Sequence, residues 1–329
     1  MARPRVLYAY THENTFTRID RDALAAAFEV EEYRQPGAVP RVPELVRKLR
    51  RCDVVFGWFA SWHTAAAMPL ARLLRTPSVL VTGGFDTASV PEIGYGNQQD
   101  PWRRWRARLA IASAGHLVTN SNYLEGEIER NLGIPPERVQ VVHHGVPDRF
   151  ADPGEPPRRM ALSVGVVHRW NLERKGHRAF VEAARELPDV EFVLAGAWKD
   201  DAIDILRERA SDNVTFTGFL TDEELDRRFR DAAVYVQASW HEGFGLAVAE
   251  AMLARTVPVV TAKGALPEVV GDTGVTIDAV GAAEIAAGVS AALERGHEDR
   301  ERARARVLEE FPLEARAEGV RSAVEAALA

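Results

Sequence analysis

Two glutamates flank a glycine-containing turn in the segment Ser239–Met252, which reads SWHEGFGLAVAEAM. The apolar residues 233–237 before it predict a short buried strand, and residues 246–254 predict a helix. Gly243 and Gly245 allow the backbone between them to turn tightly and to approach a ligand closely. Because a helix start offers free N–H groups and partial positive charge, this junction favours a phosphate or diphosphate.

The spacing of the two glutamates also suits a nucleotide sugar. Glu250 follows Glu242 by eight positions. With a rise of ~1.5 Å per helical residue, the two carboxylates should lie on the order of 10 Å apart. A sugar ring and a ribose that flank a diphosphate are separated on the same scale.

The segment Glu242–Met252 resembles the E-G-F-G-x-x-x-x-E-A-M signature of retaining glycosyltransferases with the two-domain GT-B architecture, the large group called family 4. The resemblance implies that Glu242 bonds hydroxyls of the transferred sugar and that Glu250 accepts from both ribose hydroxyls. It also implies donor contacts from the turn between them, formed by Gly243, Phe244, Gly245 and Leu246. The alternative is an ordinary strand-turn-helix junction.

Two cations follow another predicted strand. Residues 162–169 (LSVGVVHR) and the pair Lys175-Gly176 resemble the family's Gly-x-x-x-Arg and Lys-Gly elements, with Gly165 and Arg169 at the matching positions. An arginine can fork onto phosphate oxygens and a lysine supplies a compact charge, so both would offset the charge on a departing diphosphate. The alternative is a solvated basic loop, since Arg174 and Arg178 are also present, and these two are expected at the surface.

The segment Gly264–Gly271 (GALPEVVG) resembles the family's Gly-x-x-Pro-Glu-Val-Val element. The resemblance implies that backbone amides near Ala265 and Leu266 hold sugar or phosphate oxygens of the donor. A plain helix start explains the same residues, with Pro267 in the first turn and a glutamate that favours the helix dipole.

Composition excludes several other classes of protein. The chain has 329 residues and a net charge of -7, which argues against a general nucleic-acid binder. Cys52 is the only cysteine, so neither an internal disulfide nor a cysteine-based zinc site is expected. No window reaches the ~20 apolar residues of a membrane-spanning helix, and the N-terminus lacks an apolar signal core. We therefore expect a cytoplasmic protein, at most peripheral at the inner membrane face.

Apolar runs of strand length alternate with helical patterns along the whole chain, which predicts an α/β fold with parallel sheets covered by helices on both faces. The predicted strands are residues 5–10, 54–58, 78–82, 116–119 and 139–143, then 160–166, 191–195, 214–217, 233–237, 257–260 and 274–277. The predicted helices include residues 21–28, 42–51, 65–74 and 178–186.

Residues 145–157 are rich in proline and glycine and lack a hydrophobic period, as is typical of an interdomain linker. We thus predict two Rossmann-like doubly wound domains, residues 1–150 for the acceptor and residues 151–311 for the nucleotide sugar. Ligands bind at the carboxyl ends of such strands, so the two sheets are expected to face each other across a cleft. By resemblance, residues 312–329 form a helix that crosses back to the first domain.

The predicted first domain departs from the family at two loops. Residues 10–15 (YTHENT) replace a common glycine pair, and residues 81–86 (VTGGFD) lack a common histidine. The loop 57–63 (GWFASWH) carries three aromatics, which could stack on a sugar or fill the core. Acceptor-side candidates are His12, Trp58, His63 and Asp86. Packed or solvated histidines, and an aspartate that stabilises its own turn, are the alternatives.

Residues 102–111 (WRRWRARLAI) alternate aromatic and basic residues on a predicted helix, a pattern typical of contact with an anionic membrane. The alternative is a helix with buried tryptophans and an arginine-rich solvent face, which would show the same sequence pattern. Membrane contact would suit a lipid-linked acceptor.

The family resemblance, together with these patterns, implies a retaining glycosyltransferase that moves a sugar from a nucleotide sugar to a hydroxyl of a saccharide, glycolipid or small molecule. The resemblance implies no cofactor, and no Asp-x-Asp pair of the metal-binding kind stands out, so metal independence is expected. A sugar-nucleotide epimerase or hydrolase on the same fold would instead consume donor without acceptor. A non-catalytic nucleotide-sugar-binding protein is the third possibility. No partner protein is indicated.

Overall fold

The computed structural model describes residues 3–152 and 157–329. The chain forms two compact units: unit 1 comprises Met1–Gly145 and Leu313–Ala329, and unit 2 comprises Val146–Pro312. Each unit is built around its own parallel sheet.

Unit 1 contains a six-stranded sheet with strand order β2-β1-β3-β4-β5-β6. Its elements are β1 (Arg5–Tyr10), α1 (Thr15–Ala27), β2 (Glu29–Arg34), α2 (Val42–Leu49), β3 (Val54–Trp58), α3 (Trp62–Leu74), β4 (Ser78–Val81), α4 (Pro101–Ser113), β5 (His116–Thr119), α5 (Asn122–Leu132) and β6 (Val139–Val141). Short 3-10 helices lie at Pro91–Ile93, Asn97–Gln99 and Pro136–Arg138. All neighbouring strands are parallel.

Unit 2 also contains a six-stranded parallel sheet, with strand order β12-β11-β10-β7-β8-β9. Its elements are β7 (Arg158–Val164), α6 (Arg169–Arg174), α7 (His177–Ala183), β8 (Glu191–Ala195), α8 (Ala202–Arg207), β9 (Val214–Gly218), α9 (Asp222–Asp231), β10 (Ala232–Gln237), α10 (Leu246–Leu253), β11 (Val257–Thr261), α11 (Leu266–Val270), β12 (Val275–Ile277), α12 (Ala282–Leu293) and α13 (His297–Glu310). The last helix, α14 (Leu313–Leu328), belongs to unit 1.

Each sheet has one point where the direction of strand addition reverses. In unit 1 this point lies between β1 and β3, and in unit 2 it lies between β7 and β10. Ligands of open α/β sheets bind outside the carboxyl ends of the strands at such a reversal. The loops that begin at Thr11 and Phe59 in unit 1, and at Gly165 and Ala238 in unit 2, therefore occupy the ligand-binding positions of the two sheets.

Apolar side chains cover both faces of each sheet. In unit 1 one face packs against α3 and α4, and the other packs against α1 and α14. In unit 2 the two faces are covered by separate clusters, one including α7 and α12 and the other including α10 and α13. The predicted α/β class with two doubly wound parallel sheets is confirmed.

The strand β2 escaped prediction because its sequence, EVEEYR, is mostly charged. It is an edge strand that pairs only with β1, so most of its side chains face solvent and only Tyr33 is buried. The first helix also begins earlier than expected, at Thr15. Asn14 caps it, and the side chains of Asn14 and Thr17 each accept from the other residue's backbone N–H.

The expected linker is largely packed into unit 2. Val146 and Phe150 are buried in the core of that unit, and the Val146 N–H donates to the Phe311 carbonyl over 3.0 Å. The boundary between the units falls after Gly145, earlier than the expected residue 150. Residues 153–156 of the predicted linker lie outside the described residues.

A buried ion pair attaches α14 to the rest of unit 1. Arg316 donates to both carboxylate oxygens of Asp20, over 2.8 and 2.7 Å, and both side chains are inaccessible or nearly so. Arg316 also donates to the Val142 carbonyl, and the Trp58 indole donates to Asp20 over 3.0 Å. A buried charge left without its partner is costly, so these contacts fix the position of α14.

Candidate functional site

The carboxylate of Glu242 is the centre of a polar cluster at the strand reversal of unit 2. Its Oε1 accepts from Lys175 Nζ over 2.9 Å, from Gln237 Nε2 over 2.9 Å and from Ser239 Oγ over 3.1 Å. Arg174 Nη1 lies 3.7 Å from the same oxygen. Strand β10 supplies Gln237, its following loop supplies Ser239 and Glu242, and the connection after β7 supplies both cations.

This cluster is largely shielded from solvent but remains ionised. The side chains of Glu242, Arg174 and Lys175 are 15%, 15% and 18% exposed. Burial alone would raise the pKa of Glu242, but Lys175 and Arg174 outweigh it and hold that pKa at about 2. Within the described part of the chain, all its hydrogen bonds go to Oε1, so Oε2 is free to accept from a ligand hydroxyl.

Two glycines let the backbone close around this ion pair. Gly264 has a φ of +63°, and a Cβ there would lie 2.5 Å from the Glu242 carbonyl oxygen. The next residue, Ala265, donates its N–H to that same oxygen over 2.9 Å. A Cβ on Gly165 would lie 2.8 Å from Lys175 Cδ. Side chains at either glycine would therefore displace the lysine stem or the loop that carries Glu242.

The turn Gly243–Gly245 leads directly into α10, whose first residue is Leu246. Phe244 is buried and its ring packs edge-on against Phe311, with centroids 5.1 Å apart. Leu266, the first residue of α11, is also buried, and its Cδ2 would lie 3.0 Å from a Cβ on Gly245. Phe244 and Leu266 thus anchor the turn in the core, while the start of α10 follows the loop that carries Glu242.

Glu250 lies on α10 and pairs with an arginine that sequence reasoning missed. Its Oε1 lies 3.3 Å from Arg149 Nη2, which is also 3.0 Å from Asp226 Oδ1. Burial raises the pKa of Glu250, opposed by Arg149 and assisted by Asp226. These partners are distant in the sequence, with separations of 77 and 101 residues, so no local pattern marked Arg149 as part of a site.

The structure exchanges the expected places of two arginines. Arg169 begins α6, and its guanidinium donates to Asp201 over 2.6 Å with 58% of the side chain exposed. Arg174 ends α6, donates to the His241 carbonyl over 3.4 Å and lies beside Glu242, so its expected place at the surface is wrong. Because the two ends of this helix are about 7 Å apart along its axis, only one of them reaches Glu242. Arg178 is partly exposed and pairs with Glu173.

The acceptor-side candidates of the first domain differ in burial. Trp58 and His63 are buried in unit 1 and have the core-filling role, not a surface that stacks on a sugar. Burial lowers the pKa of His63 to about 4, so its ring is neutral at pH 7. His12 is exposed after β1.

Asp86 stabilises its own loop, which is the structural role given above as the alternative to contact with the acceptor. The buried carboxylate accepts from the Ala60 N–H over 2.9 Å and from the Gly83 N–H over 3.0 Å. These bonds connect the loop after β3 to the loop after β4, at the carboxyl edge of the sheet in unit 1.

The tryptophans of α4 are at the surface. Trp102 and Trp105 are 76% and 57% exposed and pack edge to face, with ring centroids 6.2 Å apart. The alternative with buried tryptophans is therefore wrong. Among the helices that the described residues form, none combines the length and apolar character needed to cross a bilayer.

Two family models together match nearly all of the chain. The model described as Glycosyltransferase Family 4 matches residues 10–150, and the one described as Glycosyl transferases group 1 matches residues 152–308. The chain belongs to the group 1, family 4 type glycosyltransferases. The second match contains the whole Glu242 cluster, from Gly165 to Leu266.

Curated relatives agree with this membership. The O-antigen chain mannosyltransferase B of Escherichia coli is 28% identical over 51% of this chain and 49% of its own length. The D-inositol 3-phosphate glycosyltransferase of Mycobacterium sp. (strain JLS) is 28% identical over 73% of this chain and 56% of its own. The matched regions thus span about half the length of these relatives.

A solved structure shows the same fold. Anabaena Alr3699/HepE, in complex with UDP and glucose, superposes with a TM-score of 0.78 and covers 98% of this chain and 100% of its own. The sequence identity is 17%, so this likeness establishes the fold. The predicted GT-B fold class of this family is confirmed.

The Glu242 cluster predicts a specific pH dependence of stability. A folded-state pKa of about 2 lies below the ordinary glutamate value, so the ionised carboxylate stabilises the fold above about pH 4.5, by roughly 3 kcal/mol, and this contribution is lost as the pH falls towards 2. Glu242→Gln lacks the contribution. Calorimetry should show wild type melting above the variant at pH 6, with the difference shrinking below about pH 4.

The control is Glu294→Gln, because Glu294 is exposed and has no ion pair in the described part of the chain. Its melting temperature should follow wild type at every pH. A difference between Glu242→Gln and wild type that stays constant down to about pH 2 would contradict the ionised, cation-held state of Glu242.

Proposed function

We propose that this protein transfers a sugar from a nucleotide sugar to a hydroxyl acceptor with retention of configuration at the anomeric carbon. The observation that supports this best is the Glu242 cluster, in which a carboxylate with one free oxygen is held beside two cations at a ligand-binding edge. Family membership supplies the reaction class. The structural neighbour HepE is described in complex with UDP and glucose, which favours a nucleotide-sugar donor for this protein as well.

We assign the sugar to Glu242 and the ribose to Glu250. Oε1 of Glu242 is occupied by its protein donors, so Oε2 would accept from a hydroxyl of the transferred sugar without moving the loop. Glu250 uses only Oε1 for Arg149, within the described part of the chain, so its second oxygen would accept from the ribose. In this assignment Arg149 orients Glu250 for the nucleotide and opposes the rise in its pKa that burial causes.

The departing diphosphate would be stabilised by Lys175, by Arg174 and by the start of α10. Preorganised charges of this kind are often the largest single contribution to catalysis. Arg169, assigned to the same role by resemblance, is exposed and bound to Asp201. It would serve the diphosphate only after exchanging that carboxylate for phosphate oxygens.

In the proposed reaction the bond from the anomeric carbon to the diphosphate oxygen breaks while the acceptor oxygen bonds to the same face of that carbon. The acceptor proton passes to the departing phosphate oxygen, so no protein side chain needs to act as base. The anomeric configuration of the product, read by NMR, checks retention.

We also propose that the reaction needs no metal ion, because the two cations beside Glu242 already offer positive charge to a diphosphate. The sequence contains the spacing Asp-x-Asp once, at Asp20 and Asp22 on α1, but Asp20 is buried and bound to Arg316. Full activity in excess chelator is the expected result.

Replacing Lys175 with alanine tests the role of the cations. The variant loses a charge that lies 2.9 Å from Glu242, and we expect turnover of the donor to fall about 100-fold or more. Turnover is measured as nucleotide diphosphate released from a sugar nucleotide such as UDP-glucose, with and without a panel of acceptors.

The matched control is Lys48→Ala, since Lys48 lies on α2 in unit 1 and pairs with Glu31. This variant should turn over at the wild-type rate. Equal rates for wild type and Lys175→Ala would contradict the proposed function, and donor consumption that no acceptor accelerates would favour a hydrolase instead.

We further propose that unit 1 binds the acceptor and that α4 rests on an anionic membrane surface. Trp102 and Trp105 are exposed, and Arg103, Arg104 and Arg108 on the same helix are exposed as well. Aromatic and basic side chains together suit the boundary between headgroups and acyl chains. A cytoplasmic protein with this surface would meet lipid-linked acceptors at the inner membrane face.

Sedimentation with anionic vesicles tests this surface. Wild type should pellet with them in low salt and be released by high salt, and the double variant Trp102→Ala, Trp105→Ala should pellet severalfold less. Trp198→Ala, which removes an exposed tryptophan of unit 2, is the control and should pellet like wild type. Equal pelleting of the double variant and wild type would contradict contact through α4.

A further inference from the structure

A cavity of about 270 Å³ lies within unit 1, at the carboxyl edge of its sheet. Its walls include Thr11 after β1, residues 59–61 after β3, and Asp86 after β4. These strands flank or adjoin the strand reversal of the sheet, where ligands of this architecture bind. The volume is close to the lower limit of about 300 Å³ for small-molecule sites, which suits a group of monosaccharide size.

Two arginines of α4 line the same cavity without an acidic partner. Arg106 is only 8% exposed, its Nε is buried without a hydrogen-bond partner, and within the described residues no carboxylate lies within ion-pair distance of it. Its guanidinium stacks on Trp62, 3.9 Å from the ring centroid. Arg103, one helical turn earlier, also lines the cavity.

Arg106 is buried at a cost that an anion would offset. Burial lowers the pKa of Arg106, and the charge of Arg103 lowers it further, opposed by Asp100. The Asp100 carboxylate caps α4 by accepting from the Arg103 N–H over 2.7 Å. A buried polar group without a partner is unfavourable, and two neighbouring guanidinium groups repel each other, so an anion bound in the cavity would be favourable.

The remaining walls are compatible with an anion. Ser61 is the residue before α3, so the partial positive charge at that helix start lies beside the cavity. Asp86 is the acidic residue in the wall, but its two oxygens accept from the Ala60 and Gly83 N–H groups.

We infer that this cavity binds an anionic group of the acceptor, a phosphate or a carboxylate, through Arg103 and Arg106. The identification of the ligand as the acceptor rests on the proposed function, whereas the binding of an anion to this cavity does not. Arginine is suited to this role because its planar fork donates two parallel hydrogen bonds to phosphate or carboxylate. The acceptor would accordingly be a phosphorylated or acidic sugar or polyol, free or on a lipid.

Direct binding without donor tests this inference. The full chain is titrated calorimetrically with inorganic phosphate, glucose 6-phosphate and glucose. The two phosphates should bind and compete with each other. Glucose should bind at least tenfold more weakly than glucose 6-phosphate, because each lost charge-assisted contact weakens binding about tenfold. Arg106→Gln and Arg103→Gln should each weaken glucose 6-phosphate by about tenfold or more. Arg103 is exposed with no side-chain hydrogen bond in the described residues, so its variant should fold even if Arg106→Gln does not.

Two controls locate the binding. Arg104→Gln removes the same charge from the same helix outside the cavity and should bind glucose 6-phosphate like wild type. Lys175→Ala should also bind it like wild type. Measurable but equal affinity for glucose and glucose 6-phosphate, an equal loss in Arg104→Gln, or a loss confined to Lys175→Ala would each overturn the inference. The last result would do so because the ligand would then occupy the unit 2 cluster.

A vesicle-binding experiment distinguishes a soluble phosphate from a lipid phosphate as the source of the anion. Vesicles of phosphatidylcholine with phosphatidic acid are compared with phosphatidylcholine alone, using a Trp102→Ala, Trp105→Ala background to remove contact through the tryptophans. Retention that depends on Arg103 and Arg106, when glucose 6-phosphate does not bind, identifies a lipid phosphate. No binding of any phosphate in either experiment overturns the inference. UDP binding, which depends on unit 2, reports separately on the proposed function.

Discussion

One carboxylate oxygen, Oε1 of Glu242, determines how the functional edge of unit 2 is built. It collects hydrogen bonds from Lys175, Gln237 and Ser239 and is approached by Arg174. A largely buried carboxylate is stable only when positive charge accompanies it, so the loop after β7 must lie beside the loop after β10. The strand reversal between β7 and β10 makes these two loops neighbours. The sheet topology therefore brings together the two loops whose opposite charges stabilise each other.

The local backbone conforms to the same constraint. Gly264 lets the loop before α11 pass against the backbone of Glu242, and Gly165 leaves space for the stem of Lys175. Phe244 enters the core between the two glutamates and prevents the turn from moving outward. The result is a pair of carboxylates on rigid supports, each with one oxygen held by protein donors and one left for a ligand. Such preorganisation is what catalysis by electrostatic stabilisation requires.

Sequence patterns were sufficient for the fold because nearly every central strand is a continuous apolar run, which is typical of a sheet covered on both faces. The edge strand β2 was missed because four of its six residues are charged, so it lacks that signal. For the candidate site, local spacing and the family resemblance pointed to Glu242, Lys175 and Glu250, whose neighbours are mostly glycines and helix starts. It could not identify Arg149, whose partners are far away in sequence, nor show that Arg174 rather than Arg169 faces Glu242. Which end of a short helix points inward depends on packing that no local pattern records.

The central claim is that Glu242 and Glu250 belong to one nucleotide-sugar site on unit 2. The most direct measurement is a thermal-shift comparison of wild type, Glu250→Ala and the surface variant Glu294→Ala with UDP, GDP, ADP and TDP. A ligand that binds the folded state raises its melting temperature by mass action. The account predicts that one of the four nucleotides stabilises wild type and Glu294→Ala but not Glu250→Ala. No shift with any nucleotide, or the same shift in all three proteins, would contradict it.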